Sequence, residues 1–304
     1  MDILLFGANG QVGWELQRAL APLGSLAALG HAEANLEAPL RDLIVRERPR
    51  VIVNAAAYTA VDKAESEPER AMRINGEAVG EMARAAAELG ALFVHYSTDY
   101  VFDGEKSTPY EVDDPTAPLS AYGRSKLAGE TAIAAVPGCR HLIFRTSWVY
   151  AVRGKNFAHT ILQRARTMDR LQVVADTYGV PTSAELLADV TALAVHRIWG
   201  HAPAPPQAPA VDAGDLWGTY HLVPSGETTW HGYASFLVET ARSRGIALQV
   251  APGAIAPVPA ATFPAPARRP MNSRLNNRLL EQRLGLQLPD WRVHVRRFVE
   301  EIAG

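Results

Sequence analysis

Asp2-Ile3-Leu4-Leu5-Phe6-Gly7-Ala8-Asn9-Gly10-Gln11-Val12-Gly13 opens the chain, and the reading of these residues decides the fold. Residues 2–6 are a short apolar run that predicts a buried strand. Val12, Leu16, Ala19, Leu20 and Leu23 then recur at helical spacing. Between the two stand glycines in a Gly-x-x-Gly-x-x-Gly turn, wider than the tighter Gly-x-Gly-x-x-Gly pattern. Strand, glycine turn and helix in that order make a dinucleotide site. The glycines let backbone approach a pyrophosphate, and the helix N-terminus offers N–H groups and a positive dipole end. A plain tight turn is the competing reading, and the placement between first strand and first helix argues against it.

Working outward, Leu26-Ala27-Ala28-Leu29 predicts a second strand, ending where an adenosine ribose would lie. Gly30 and His31 follow, with no carboxylate to repel a 2′-phosphate, so NADPH should serve at least as well as NADH. Should Glu33 fold back onto the ribose, the preference reverses. Val51-Ile52-Val53 is a third strand, closed by Asn54-Ala55-Ala56-Ala57, whose small side chains leave room for a nucleoside against the backbone. Residues 61–65 form a loop, and 68–89 an alanine-rich helix carrying Asn75, either a core amide or a backbone anchor for the site.

Leu92-Phe93-Val94-His95-Tyr96 reads as another buried strand, so Ser97-Thr98-Asp99-Tyr100-Val101-Phe102 begins where a strand of an open sheet gives out. After a Pro-rich loop comes Tyr122-Gly123-Arg124-Ser125-Lys126. If Ser120 starts a helix after Pro118, Tyr122 and Lys126 share one face. A hydroxyl, a phenol and an ammonium then converge, which suits reduction of a ketone: the carbonyl oxygen becomes an alkoxide that must be stabilised and protonated. Tyr122 is the expected donor. A cation about 4 Å away in an effective dielectric of about 20 contributes about 4 kcal/mol, or about three pKa units. Lys126, with the charge of an oxidised nicotinamide, would bring the phenol close to 7.

Further on, residues 142–144 are a buried strand ending in Arg145-Thr146-Ser147-Trp148. Trp148 either stacks on a sugar or fills a lobe junction. A helix from Asn156-Phe157 to about Arg166 follows, and residues 171–174 return to the sheet. Residues 178–182 read as a turn, 184–199 as a helix, 219–223 as a strand and 230–244 as a helix, with a last helix from about Trp291 to Ile302. Residues 201–214, rich in Ala and Pro, read as an exposed flexible loop. Arg268, Arg269 and Arg274, interrupted by Pro270, form either a diphosphate clamp or a solvated charged loop.

With 304 residues, 48% of them hydrophobic, the chain can build two modest cores. A net charge of −2 leaves no basic footprint for nucleic acid. The single cysteine, Cys139, rules out an internal disulfide and fits a reducing compartment. With no signal peptide and no membrane-length apolar run, a soluble cytoplasmic protein is expected.

These blocks, in this order, resemble the extended short-chain dehydrogenase/reductases and, within them, the dTDP-4-dehydrorhamnose reductase family. The resemblance rests on the glycine turn, residues 54–65, Ser97-Thr98-Asp99-Tyr100-Val101-Phe102, Tyr122-x-x-x-Lys126-Leu127-x-Gly129-Glu130, residues 145–150 and residues 268–275. It implies an α/β fold, a Rossmann-type doubly wound parallel sheet with a smaller α/β substrate-binding lobe. The cofactor domain would be residues 1–150, with 170–225 returning to it, and the substrate lobe mainly 151–304. It implies hydride delivery from NADPH or NADH to C4 of a dTDP-4-keto-sugar, the last step of dTDP-rhamnose synthesis for cell-surface polysaccharide. Tyr122, Lys126 and Thr98 would be catalytic, with Lys126 holding the nicotinamide ribose. Cofactor contacts are expected at Gly7, Asn9, Gly10, Gln11, Val12, Gly13, His31, Asn35, Leu36, Ala55, Ala56, Ala57, Tyr96, Tyr122 and Lys126. Substrate contacts are expected at Val61, Thr98, Asp99, Phe102, Trp148, Asn156, Arg268 and Arg269. A homodimer is implied, with Glu15, Glu185 and Glu301 placed either to share a Mg²⁺ between subunits or to stand as solvated helix carboxylates. The rivals are a non-catalytic NADP-binding regulatory subunit and a nucleotide-sugar epimerase or dehydratase. Thr98, Tyr122 and Lys126 together weigh against the first. A dehydratase would want a carboxylate pair where only Asp99 stands.

Overall fold

The computed structural model describes residues 1–199 and 216–303, so the expected loop at 201–214 lies outside the described residues. Strands β1 (Ile3–Phe6), β3 (Val51–Asn54) and β4 (Leu92–Thr98) are buried at every position, as continuous apolar runs are in a parallel sheet covered on both faces. β2 (Leu26–Leu29), at the sheet edge, is only half-buried. With β5 (Arg140–Thr146) and the Gly218–His221 strand they form a six-stranded sheet. Its order is Gly218–His221, β5, β4, β3, β1, β2, with every pairing parallel. The chain runs outward from β1 on both sides, so the strand order reverses between β1 and β3, and the carboxyl ends open a crevice there.

Alternate residues of each strand go to opposite faces. Ile3, Leu5, Val53 and Val94 meet Leu16 and Leu20 of helix α1 (Gln11–Leu20), Leu187 and Val190 of the Ala184–Trp199 helix, and Leu280. Leu4, Phe6, Ile52 and Phe93 meet Ile44, Val79, Met82, Ala86 and Ile133 on the other side. A second core belongs to the lobe, where Tyr150, Ile161, Leu162, Tyr233, Leu237, Trp291 and Phe298 pack together.

One strand departs from the sequence reading. Leu171–Val174 does not join the central sheet but pairs in parallel with Ile255–Val258 in the lobe. Leu171 and Val173 are buried and Gln172 is exposed, the alternation of a strand with one wet face. Residues 178–182, read as a turn, contain short bridging strands at Tyr178–Gly179 and Thr182–Ser183. The stretch 61–65, read as a loop, begins with the one-turn helix Val61–Ala64. No described helix is long and apolar enough to cross a membrane.

The helix Ala121–Ala134 is the element that positions the site. Ser120 caps it, its hydroxyl accepting from Gly123 N–H at 3.1 Å, and Glu65 accepts from Ala121 N–H at 2.8 Å. The long helix at 68–89 loosens into a π-turn over Arg73–Glu77, which turns Asn75 inward. Asn75 accepts from Tyr58 N–H at 2.8 Å and donates to Tyr58 O at 3.0 Å and Ser125 Oγ at 2.9 Å. It is therefore a backbone anchor tying the chain beyond β3 to the Ala121–Ala134 helix. Further along that helix, Glu130 is almost fully buried and takes Arg145 Nε at 3.0 Å, Arg145 Nη2 at 2.7 Å and the Ser97 hydroxyl. Removing one member of a buried pair strands the other charge. Glu130→Ala is expected to cost roughly 3–5 kcal/mol, read as a lower urea midpoint at unchanged slope.

Candidate active site

A cleft of about 900 Å³ opens over the carboxyl ends of β1, β3, β4 and β5. Gly7 forms one wall at φ +85°, and a Cβ there would lie 2.6 Å from Ala56 N, so only glycine lets β1 turn this close to the end of β3. Gly10 caps α1 without a side chain bonding the first turn, which leaves the helix N-terminus facing the cleft for an anion. Of the expected cofactor residues, all but Gly13 line the cleft. Gly13 is buried beneath the turn, where the Gly7 carbonyl fills the space of a Cβ. It shapes the turn and does not face the ligand.

At the end of β2, Glu33 folds back and its carboxylate accepts from Gly30 N–H at 2.9 Å. The fold-back reaches the Gly30 backbone beside the cleft, and Glu33 itself is not among the cleft-lining residues. Gly154 and Lys155, which the sequence reading passed over, also line the cleft. Their loop is drawn there by Asn156, which donates to Gln11 Oε1 at 2.9 Å and to Ala151 O at 2.7 Å.

The floor brings the expected trio together. Thr98 ends β4 and donates to Asp99 Oδ1 at 3.0 Å, and its hydroxyl is also bonded to the Tyr122 phenol. The Tyr122 ring meets Tyr100 edge-on at 5.6 Å. Lys126 is 2% exposed and donates to Tyr96 O at 2.6 Å. In the chain by itself, without the nicotinamide charge that the expectation included, the electrostatics run the other way. Burial, and after it the charge of Asp99, push the Tyr122 phenol up, while burial brings Lys126 down to about 8. Desolvation dominates and the Thr98 hydrogen bond opposes it only in part, so the resting phenol is firmly protonated. Asp99 is itself raised by burial to about 6, Ser273 and Thr98 opposing, and its Oδ2 has no partner. Thr146 Oγ1, in the same cleft, is likewise buried without a partner. Such orphaned atoms fit a site made to receive a polar cofactor or sugar.

The expected substrate residues divide. Val61, Thr98, Asp99 and Trp148 line the cleft. Trp148 adopts φ +48° and is half-buried, one ring face stacked on Trp230 at 3.7 Å. Phe102 does not line the cleft: it is wholly buried in the lobe core, stacked on Tyr110 at 4.2 Å. Asn156 acts through Gln11, as above. Arg268 and Arg269 are exposed outside the lining, and Arg269 pairs with Asp62 at 2.8 Å. Arg274 bonds Asn272 and Ser107 O, so the three arginines do not form one clamp. The three glutamates expected at a subunit interface come together within the chain. Glu15 is pushed up first by burial and then by Glu185 and Glu301, so the three are neighbours. Arg297 takes Glu185 at 3.1 Å and Glu301 at 3.0 Å, supplying the positive charge there. Among the described residues no three carboxylate, His or Cys groups are placed to hold a metal ion.

Asp99 gives a pH signature. Its pKa is about 6 folded against 3.8 unperturbed, so its contribution is full below about pH 4 and is lost as pH rises through about 6. The loss is about 3 kcal/mol. Asp99→Asn is expected to remove this fall, read by comparing unfolding free energies of both proteins at about pH 4 and pH 7.

Residues 1–303 match the family model described as the RmlD substrate binding domain. The dTDP-4-dehydrorhamnose reductase of Shigella flexneri is 50% identical over 310 residues, covering 99% of this chain and 98% of that one. A crystal structure of the Clostridium acetobutylicum dTDP-4-dehydrorhamnose reductase superposes with a TM-score of 0.88 at 32% identity over 100% of both chains. One from Bacillus anthracis, in complex with NADP, gives 0.85 at 31% identity over 99% and 100%. The chain belongs to the dTDP-4-dehydrorhamnose reductase family of nicotinamide-dependent reductases with a Rossmann-like fold.

Proposed function

We propose that this protein reduces the C4 ketone of dTDP-4-dehydro-L-rhamnose to dTDP-L-rhamnose with NADH or NADPH. The observation that carries the reading is the meeting of the Thr98 hydroxyl, the Tyr122 phenol and Lys126 on the floor of the cleft whose wall is the glycine turn. The nicotinamide supplies the hydride when bound. Thr98 orients and polarises the carbonyl, and Tyr122, kept protonated by burial, gives its proton to the oxygen as charge develops there. Lys126 holds the nicotinamide ribose, and the α1 N-terminus with Lys155 takes the pyrophosphate. Residues 1–150 and the Gly218–His221 strand serve the cofactor, and the sugar nucleotide is met by Val61, Asp99 and Trp148 of that domain where it faces the lobe. Arg268 and Arg269 lie on a loop that Asp62 holds near the cleft's edge, through Ala267 N–H at 3.3 Å and Arg269. A homodimer fits the exposed Trp14, Leu193 and Val293; gel filtration of the metal-free protein tests it. An epimerase or dehydratase is disfavoured because Asp99 is the one carboxylate among Thr98-Asp99-Tyr100.

Two substitutions test these assignments. Tyr122→Phe is expected to lower NADPH consumption with the keto-sugar by about 10²–10⁴ while cofactor binding, followed by fluorescence, persists; undiminished turnover removes the assigned acid. For the cofactor, Glu33 beside Gly30 predicts that NADH is favoured. Glu33→Gln removes a repulsion of about 1 kcal/mol, the value for charges several ångströms apart in water-like surroundings. The ratio of kcat/KM for NADPH over NADH should then rise roughly fivefold.

A further inference from the structure

Beneath the cleft floor, Asn54, His95 and Lys126 form a buried chain that the proposed reduction leaves unexplained, each about 1–2% exposed. Hydrogen-bond chemistry fixes the direction of every link. Ala56 N–H donates to Asn54 Oδ1 at 3.1 Å, and a backbone N–H can only donate, so that amide atom is the oxygen. The other amide atom, 3.2 Å from His95 Nδ1, is therefore the NH₂, which also can only donate. His95 Nδ1 must accept. The ring is neutral, because burial holds it well below the ordinary imidazole range, and a neutral ring that accepts at Nδ1 carries its proton on Nε2. That Nε2–H faces Lys126 Nζ at 3.1 Å.

An ammonium at this point would turn a donor toward a donor. A neutral amine has a lone pair to receive the Nε2–H, one N–H for Tyr96 O at 2.6 Å and one left for the cleft. We propose that Asn54 locks His95 as the Nε2–H tautomer, and that His95 in turn favours the neutral amine of Lys126 over the ammonium, so that Lys126 gives up its charge more readily than burial alone would make it. His95 is a positioning residue: it acts through Lys126. The charged groups around the pair do not cancel this preference. Glu130, one turn along the same helix, favours it, but its carboxylate is taken by Arg145 and Ser97. Asp99 lies on the side of Tyr122, the Tyr122 phenol is protonated, and Phe93, stacked on His95 at 6.1 Å, is apolar. If the proposed reduction is the reaction, Lys126 then offers the cofactor a hydrogen bond from a group that loses its charge easily, and Tyr122 keeps its proton into alkaline pH.

The experiment follows protonation in the ligand-free full chain. The sequence holds four lysines, so ε-¹³C-lysine labelling gives four signals, and Lys126→Met assigns the one of interest. Long-range ¹H–¹⁵N spectra of ¹⁵N-histidine report the tautomer. The expected wild-type result is His95 protonated at Nε2. Asn54→Asp keeps an acceptor for Ala56 N–H and replaces the NH₂ by a second acceptor. It should move the His95 proton to Nδ1 and raise the Lys126 titration midpoint by about one pH unit or more. His95→Gln, whose amide can present either end, should raise it as well. An Nδ1–H tautomer in the wild type, which needs no variant to fold, overturns the proposal, as does a Lys126 midpoint unmoved in both variants. The alkaline limb of kcat/KM for ketone reduction should move about one unit lower in Asn54→Asp. If the spectra behave as expected and no reduction is seen, the reaction assignment fails and the tautomer lock stands.

Discussion

Burying the Glu130 carboxylate is unfavourable unless its lone pairs are filled, and the way they are filled dictates where the catalytic groups stand. Taking two charges out of water costs several kcal/mol per ion, offset only by close and complete pairing. Arg145 supplies two N–H groups from the end of β5, and Ser97 supplies a hydroxyl from the end of β4. A helix held by its middle to two adjacent strand ends cannot slide along them. Tyr122 and Lys126 lie on the turns just before Glu130, so the same three residues that neutralise a buried charge also fix the distance from the phenol to Thr98.

That helix lies close because two of its residues have no side chain. The Tyr100 carbonyl fills the space of a Cβ at Gly123, and the Asn75 carbonyl fills it at Gly129. The π-turn that brings Asn75 inward also lets its amide hold Tyr58, so the wall beyond β3 and the floor at Tyr122 are braced by one side chain. The lobe is tied to the same frame at two places, Asn156 to Gln11 at the glycine turn and Arg269 to Asp62 beside Val61. Cofactor wall and substrate wall thus share anchors.

The fold was legible wherever the signal is local. A strand, three glycines and a helix within residues 2–23 settle the first βα unit, and the continuous apolar runs at 51–53 and 92–96 predict strands buried on both faces, as found. Leu171–Val174 was misplaced because its four residues were read for apolar content, where the alternation of Leu171, Gln172 and Val173 held the answer. The trio at Thr98, Tyr122 and Lys126 was legible because two of its members are one helical turn apart. What escaped depended on partners distant in sequence. Phe102 follows a motif that faces the cleft, yet its ring turns into the lobe to stack on Tyr110. Whether Trp148 fills a core or meets a ligand could not be divided in advance, since one face rests on Trp230, some eighty residues away, while the residue still lines the cleft. A signal for His95 was present: an imidazole inside an otherwise apolar central strand must find polar partners.

The phenol, expected near neutrality beside a lysine and an oxidised nicotinamide, stands higher in the chain by itself, for a physical reason. A cation lowers a phenol's pKa only if it keeps its own charge, and in a site this dry both groups are disfavoured in their charged forms by the same burial. Lys126 falls to about 8 and Asp99 rises to about 6, so burial brings both groups closer to titrating near neutral pH. Negative charge then develops on the substrate oxygen in surroundings of low polarity, where a hydroxyl and a phenol aimed at it are worth more than in water. The folded chain carries the cost in destabilised groups: an unpartnered carboxylate oxygen on Asp99, and a tryptophan held at φ +48° by Trp230. Strain of this kind persists only where the surrounding packing over-determines it, which is what the Glu130 and Asn75 anchors provide.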